Sequence, residues 1–192
     1  KFAILSCDTY IPERRISLGL HPWYASAEWR ETFAAIEQYA GNNNVAAIGE
    51  CGIDALRSTL SLEEQAALLR AHALLAERVQ KPLILHCVKA FDAIVALHKE
   101  ISPKQAWIIH GFRGKPQQAE QLTKAGLYIS LGEKFNHESA KAIPTERLFI
   151  ETDESAYPIA EIYKAVAQAK GITAEALAQQ TMQNAKRCNI VL

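Results

Sequence analysis

"VAAIGECGID", residues 45–54, decides how the rest of the chain is read. Val45 to Ile48 form an unbroken apolar run, without the polar alternation of a strand half open to water. Such a run belongs to a strand covered on both faces, as in a parallel sheet. The run ends on Gly49 and then delivers one carboxylate, Glu50. An unpaired acid is costly inside a core and useful at a rim. If similar runs recur with helices between them, the chain is an α/β protein whose strand ends gather polar residues.

They do recur, as "FAILSC" (2–7), "RISLGL" (15–20), "PLILHC" (82–87), "AWIIHG" (106–111), "LYISLG" (127–132) and "RLFIET" (147–152). Helical patterns fill the intervals. Trp29, Phe33, Ile36 and Ala40 share one face of a helix over 26–40. Ser61 and Glu64 open a helix over 61–80 with a capping-box pattern, and Pro82 lies just beyond its end. Further helices are expected over 89–100, 115–125 (closed by Gly126), about 159–170, and 173–188 behind Thr173 as N-cap, with a single turn at 137–142. Strand–helix repeats with short connections indicate one domain over 1–192 with a TIM-type (β/α) barrel, distorted or lacking its first strand. A doubly wound open sheet is the alternative. One irregularity stands out: only "DTYIPERR" separates the first two runs, less than a parallel crossover needs.

The bulk numbers fit a soluble globular protein. Of 192 residues, 49% are hydrophobic and 22% charged, and the net charge is zero. Zero net charge removes the compositional sign of general nucleic-acid binding, though it leaves room for a local basic mouth. Cys7, Cys51, Cys87 and Cys188 show no CxxC spacing, which suits reduced thiols in the cytoplasm better than a disulfide framework. No apolar run reaches the roughly 18 residues that span a bilayer, and no signal peptide is recognisable.

The strand ends carry the chemistry. Glu50, His86 and His110 end three of the runs, Asp153 follows a fourth, and His21 follows a fifth. In a (β/α) barrel the C-terminal strand ends share one rim, where active sites lie. Several acids buried there without cations would be costly. Two carboxylates and two imidazoles form a donor set for Zn, Mn or a similar divalent ion. The remaining histidines read differently: His72 and His98 as structural residues inside helices, His137 as a solvent-exposed loop residue. Cys51 and Cys87 read as packing residues turned away from the ligand side by strand alternation. Trp29 and Trp107 read as core or shell, and Trp23 as lying near the mouth.

At these residues the chain resembles the TatD family of metal-dependent deoxyribonucleases, within the amidohydrolase-like metallohydrolases. "GLHPWYA", "AIGECGID", "KPLILHC", "WIIHGFRG", "LYISLG", "PTERLFIETDES" and "TMQNAKRCNIV" follow in the family's order and run nearly the whole length. The resemblance implies hydrolysis of phosphodiester bonds in DNA, single-stranded or at free ends, with divalent Mg, Mn or Zn. It makes Glu50, His86, His110 and Asp153 metal ligands, with Glu50 bridging two ions and Asp153 orienting or deprotonating the attacking water. His21, Asp54, Lys89 and Arg113 become candidates for holding phosphate or supporting the ligands. No membrane or protein partner is implied.

There are departures. The family begins with a strand carrying an H-x-H pair, and this sequence has no H-x-H; two ions are expected only if such a pair lies upstream of Lys1. The family's Arg two residues after the histidine of the third segment is replaced by Val88, with Lys89 beside it, and Ser155 stands where proline is common. Two other functions therefore stay open: a related metallohydrolase acting on a small ester, lactone or phosphomonoester, and a catalytically degenerate member acting as a binding protein.

Overall fold

A computed structural model describes residues 15–190. The expected strand at 2–7 and Cys7 lie outside them. The other six apolar runs are strands: β1 (Ile16–Leu18), β2 (Val45–Asp54), β3 (Leu83–Val88), β4 (Trp107–Ile109), β5 (Tyr128–Leu131) and β6 (Leu148–Ile150). Between and after them come α1 (Trp29–Tyr39), α2 (Leu62–Val79), α3 (Phe91–Ile101), α4 (Pro116–Lys124), α5 (His137–Ala142), α6 (Ile159–Lys170) and α7 (Ala174–Arg187). The sheet order is the chain order, β1 to β6. A doubly wound sheet reverses its order at a switch point. None occurs among the described strands, whose order is also the order of strands in a (β/α) barrel. No helix among the described residues is long and apolar enough to cross a membrane.

The residues divide into two compact units, one running to Trp107 and the other spanning Ile108–Asn189. In the first unit, β1 and β3 both pair in parallel with β2. The apolar face of α1 (Trp29, Phe33, Ile36) is buried, as are Leu68, Leu69 and Leu75 of α2. The Ser61 hydroxyl caps α2 by accepting the Glu64 N–H at 3.2 Å. The Glu64 carboxylate instead accepts the Trp29 indole N–H at 2.8 Å, tying α2 to α1.

The middle of β2 departs from regular pairing. Ile48 pairs with Leu83 but Cys51 with Leu85, so β2 advances three residues while β3 advances two. The extra residue falls at Gly49–Glu50, and a bulge of this kind re-aims a side chain. It depends on glycine. Gly49 has φ 130° and Gly52 φ 141°; a Cβ would collide with the Ile84 carbonyl oxygen at the first and the His86 carbonyl oxygen at the second. Gly52 therefore belongs to the strand itself, where the backbones of β2 and β3 approach too closely for any side chain.

In the second unit β4, β5 and β6 pair in parallel. The carboxamide of Asn184, buried in α7, donates to the Thr145 and Leu148 carbonyls at 2.8 and 2.9 Å, fixing α7 to the start of β6. Thr173 caps α7 through the Ala176 N–H at 3.1 Å. Asn136 does the same for α5 through the Ser139 N–H at 3.0 Å.

His72 and His98 are structural, as the sequence suggests. The ring of His98 packs edge-on against Trp107 at 5.0 Å between centroids. His72 is fully buried in α2; its Nδ1 lies 2.9 Å from the Leu68 carbonyl oxygen, and its Nε2 accepts the Leu20 N–H at 3.0 Å. Both contacts are satisfied by the neutral ring with its proton on Nδ1. Burial lowers the imidazole to about 4 from an ordinary 6.5, only partly opposed by the Leu68 hydrogen bond. The unfolded chain thus takes up a proton at higher pH than the folded one, so this contribution is intact above 6.5 and is lost as pH falls toward 4. Unfolding free energy measured by denaturant titration should decline by about 3 kcal/mol across that window. His72→Gln should flatten that decline; an unchanged slope would count against the assignment.

Candidate metal centre

In the first unit the segment after β1, the bulged middle and the end of β2, and β3 bring His21, Glu50, Asp54 and His86 together; Glu50 lies inside β2, which runs on to Asp54, and not at its end as the apolar run suggests. His86 lies between two acids. Its Nε2 is 2.9 Å from Asp54 Oδ2 and its Nδ1 is 3.2 Å from Glu50 Oε1. Asp54 is 1% exposed and fully engaged. Its Oδ2 also accepts the Trp23 indole N–H at 2.6 Å, and Oδ1 accepts the backbone N–H groups of Leu56 and Arg57 at 2.8 and 3.0 Å. Burial alone would raise this carboxyl, but the hydrogen bonds from Trp23, His86, Leu56 and Arg57 outweigh it and hold it at about 2. Asp54 is therefore ionised at neutral pH and accepts a hydrogen bond from the Nε2–H of His86.

A neutral imidazole has one N–H. With that proton on Nε2, the Nδ1 lone pair faces the Glu50 oxygen, and two acceptors meet at 3.2 Å. A second ring proton would satisfy both atoms, and so would a divalent cation between them. Ligand atoms about 2.0–2.2 Å from one ion lie roughly 3.0–3.6 Å apart, so the observed spacing fits. A carboxylate holding the far nitrogen is also how ligating histidines are oriented. His21 is near enough to join, since one donor atom each from His21, Glu50 and His86 lie within 4.8 Å of one another. Its bonding argues for another role. His21 Nδ1 accepts the Trp23 N–H at 3.1 Å, so the neutral ring carries its proton on Nε2, 3.3 Å from Glu50 Oε1. His21 is thus a hydrogen-bond donor to the acid.

In the second unit the ends of β4 and β6 build a cluster of the same kind. His110 Nδ1 lies 2.8 Å from Glu151 Oε1, and His110 Nε2 lies 3.8 Å from Asp153 Oδ2. Glu151 Oε1 also accepts the Gly111 N–H at 2.8 Å. Again one acid holds one nitrogen and leaves the other facing a second acid. Asp153 is the more exposed acid, with 45% of its side chain open, and its backbone is left-handed at φ 50°. A cavity of about 270 Å³ opens here, lined among others by Asp153, Glu151, Arg113 and Lys134.

The sequence-derived candidates fall into these two groups. Glu50, His86, His21 and Asp54 share the first, and His110, Asp153 and Arg113 the second. Lys89 follows β3, exposed and in left-handed backbone at φ 57°. Asp54 faces inward, onto His86. Two contributors are absent from the sequence reading: Trp23 as a donor to Asp54, and Glu151 as the acid holding His110. "IETD" carried a signal for Glu151, because residues 151 and 153 alternate onto the same side. The cysteines are packing residues: Cys51 is fully buried, and burial pushes the Cys87 thiol up to about 12.

Comparisons with known proteins agree with this chemistry. A family model described as "TatD related DNase" matches residues 4–189. A metal-dependent hydrolase of Buchnera aphidicola is 31% identical, over 88% of this chain and 71% of that protein. A protein of Erwinia tasmaniensis named 3'-5' ssDNA/RNA exonuclease TatD is 32% identical, over 88% of this chain and 75% of its own. Among solved structures, the TatD homolog YJJV of Escherichia coli superposes with a TM-score of 0.79 at 24% identity, covering 92% of this chain and 77% of that one. That likeness supports the fold.

If Asp54 fixes the tautomer of His86, Asp54→Asn should weaken divalent-cation binding 10–100-fold. Competition with a metallochromic chelator measures this directly. Affinity unchanged within a factor of two would remove Asp54 from the centre.

Proposed function

This chain belongs to the TatD-related DNase family and is a metal-dependent hydrolase, and on that premise we propose that it cleaves phosphodiester bonds in single-stranded DNA or at free DNA ends. One observation carries the reading: His86, held at Nε2 by Asp54, presents Nδ1 to Glu50 Oε1 at 3.2 Å. A cation seated between those two atoms would be held by both of them. The mixed imidazole and carboxylate donors suit Zn or Mn, with Mg as the harder alternative.

Glu50 and His86 are the ligands of the first cluster, and His110 and Asp153 those of the second. When bound, the cation lowers the pKa of a water molecule and polarises a phosphoryl oxygen. The chain's own groups do the rest. Asp54 and Glu151 keep the two imidazoles in the tautomers that leave a lone pair toward Glu50 and Asp153. His21 offers its Nε2 proton to Glu50 or to a phosphate oxygen. Asp153, the more open acid, takes the proton of the attacking water on a carboxylate oxygen. Arg113, at the cavity beside Asp153 in the second unit, supplies positive charge for a phosphate there, and Lys89 is the corresponding cation of the first unit. These local cations serve a polyanion despite the chain's zero net charge.

The test is hydrolysis of a labelled single-stranded oligonucleotide with Mg, Mn or Zn, beside an EDTA control and Asp153→Asn. Turnover should require the metal, and the variant should lose at least about a hundredfold, as for a proton acceptor at the reacting water. Equal rates in the variant, or no cleavage with any metal, would overturn the nuclease reading. Cleavage of a small ester or phosphomonoester instead would select the alternative metallohydrolase.

A further inference from the structure

The first cluster has a wall that the chemistry above does not use. It consists of two loops, 22–25 after β1 and 55–59 after β2. The Ser58 hydroxyl donates to the Pro22 carbonyl at 2.9 Å, and the Thr59 hydroxyl donates to the Ala25 carbonyl at 3.1 Å. Asp54 joins them a third time, accepting the Trp23 indole N–H from one loop and the Leu56 and Arg57 N–H groups from the other. The two loops are thus stapled into one rigid surface beside Glu50 and His86.

What that surface presents is unusual. Tyr24 is 64% exposed and Leu56 is 70% exposed, though the Tyr24 ring meets buried His21 and the Leu56 backbone N–H is bound to buried Asp54. The Tyr24 ring lies 5.8 Å from the His21 ring between centroids, tilted by 53° to it, so the ring borders the centre. Single exposed apolar residues are ordinary on a surface. Here an exposed ring and an exposed aliphatic side chain stand on the same stapled wall. A cation stands with them: the Arg57 guanidinium lies 3.7 Å over the Trp23 ring. Arg57 is exposed, and its backbone N–H is anchored on Asp54. An apolar face, a rigid aromatic and a fixed guanidinium match one kind of occupant, a nucleotide with an unpaired base and a phosphate.

We propose that Tyr24 is a stacking platform for the nucleobase next to the scissile phosphate, and that Arg57 holds that nucleotide's phosphate. This rests on the nuclease reading and adds the demand that the base be unpaired, because a base inside a duplex has no free face. Trp23 acts as a positioning residue, carrying Arg57 on its ring and Asp54 on its indole nitrogen. Sequence preference should be weak, since every base has a face to stack.

The experiment is equilibrium binding of a hydrolysis-resistant phosphorothioate strand with Mn²⁺ present, against an abasic strand of the same length. Tyr24→Ala should weaken the base-bearing strand about tenfold and leave the abasic strand unchanged. Tyr24→Trp, with a larger face, should bind at least as tightly as the unmodified chain. Arg57→Ala should weaken both strands and lower the slope of log affinity against log salt by about 0.7. A Tyr24→Ala variant within twofold of the unmodified chain, or one that loses the abasic strand equally, overturns the platform. If the unmodified chain cleaves DNA and Tyr24→Ala is neutral, only the platform fails. If the unmodified chain neither binds nor cleaves, the platform and the nuclease reading fail together.

Discussion

The hydrogen bond between Asp54 and His86 is the constraint on which the rest of the candidate centre depends. It selects one tautomer and turns a generic strand-end histidine into a directed lone pair. Its strength comes from how Asp54 is held. Burying a carboxylate is expensive, and here the expense is met by donors from several parts of the first unit. The Trp23 indole comes from the loop after β1, and two backbone N–H groups from the turn after β2. Gln65 of α2 accepts the Asp54 N–H through its side-chain oxygen at 2.8 Å and donates to the Leu60 carbonyl at 2.9 Å. Loops, strand and helix are therefore all fixed by the requirement that one acid remain charged and engaged. His110 and Glu151 repeat the device in the second unit, with a backbone N–H of Gly111 as the added support.

Backbone geometry supplies the other half. A regular strand alternates its side chains, and a single extra residue at Gly49–Glu50 changes which side the acid takes. Close approach of β2 to β3 is what makes glycine necessary at 49 and 52. The site is thus built on strands, where positions are held by ladder hydrogen bonds and by burial of Ile48, Ile53, Leu83 and Leu85. Precision in a metal site follows from placing ligands on such elements. His72 extends the same support outward, since the N–H it accepts belongs to Leu20, one residue before His21.

Much of the fold was legible in the sequence for a simple reason. Apolar continuity marks strands covered on both faces, and helical spacing marks the segments between them, so six runs and seven helices could be placed before any coordinates. Caps at Ser61 and Thr173 were legible because a hydroxyl at a helix start has one preferred partner. The capping box at Ser61 was legible only by half: Glu64 fits the pattern, but Trp29 from another helix takes its carboxylate. Local rules count local partners, and a tertiary donor wins when it is buried nearby.

By itself the sequence determined the α/β class, the order of its elements, the family, and that Glu50, His86, His110 and Asp153 are acids and imidazoles on or just after strands; that β2 runs four residues past Glu50 was not legible. These are properties of pattern along the chain. The tertiary structure alone decided which nitrogen of each histidine is held and which is offered. It made Asp54 a supporting anion, made His21 a proton donor, and brought in Trp23 and Glu151. The physical reason is that a tautomer is set by the partner across the space between two strands. Such partners, like His86 and Asp54 or His110 and Glu151, are 32 and 41 positions apart in the chain.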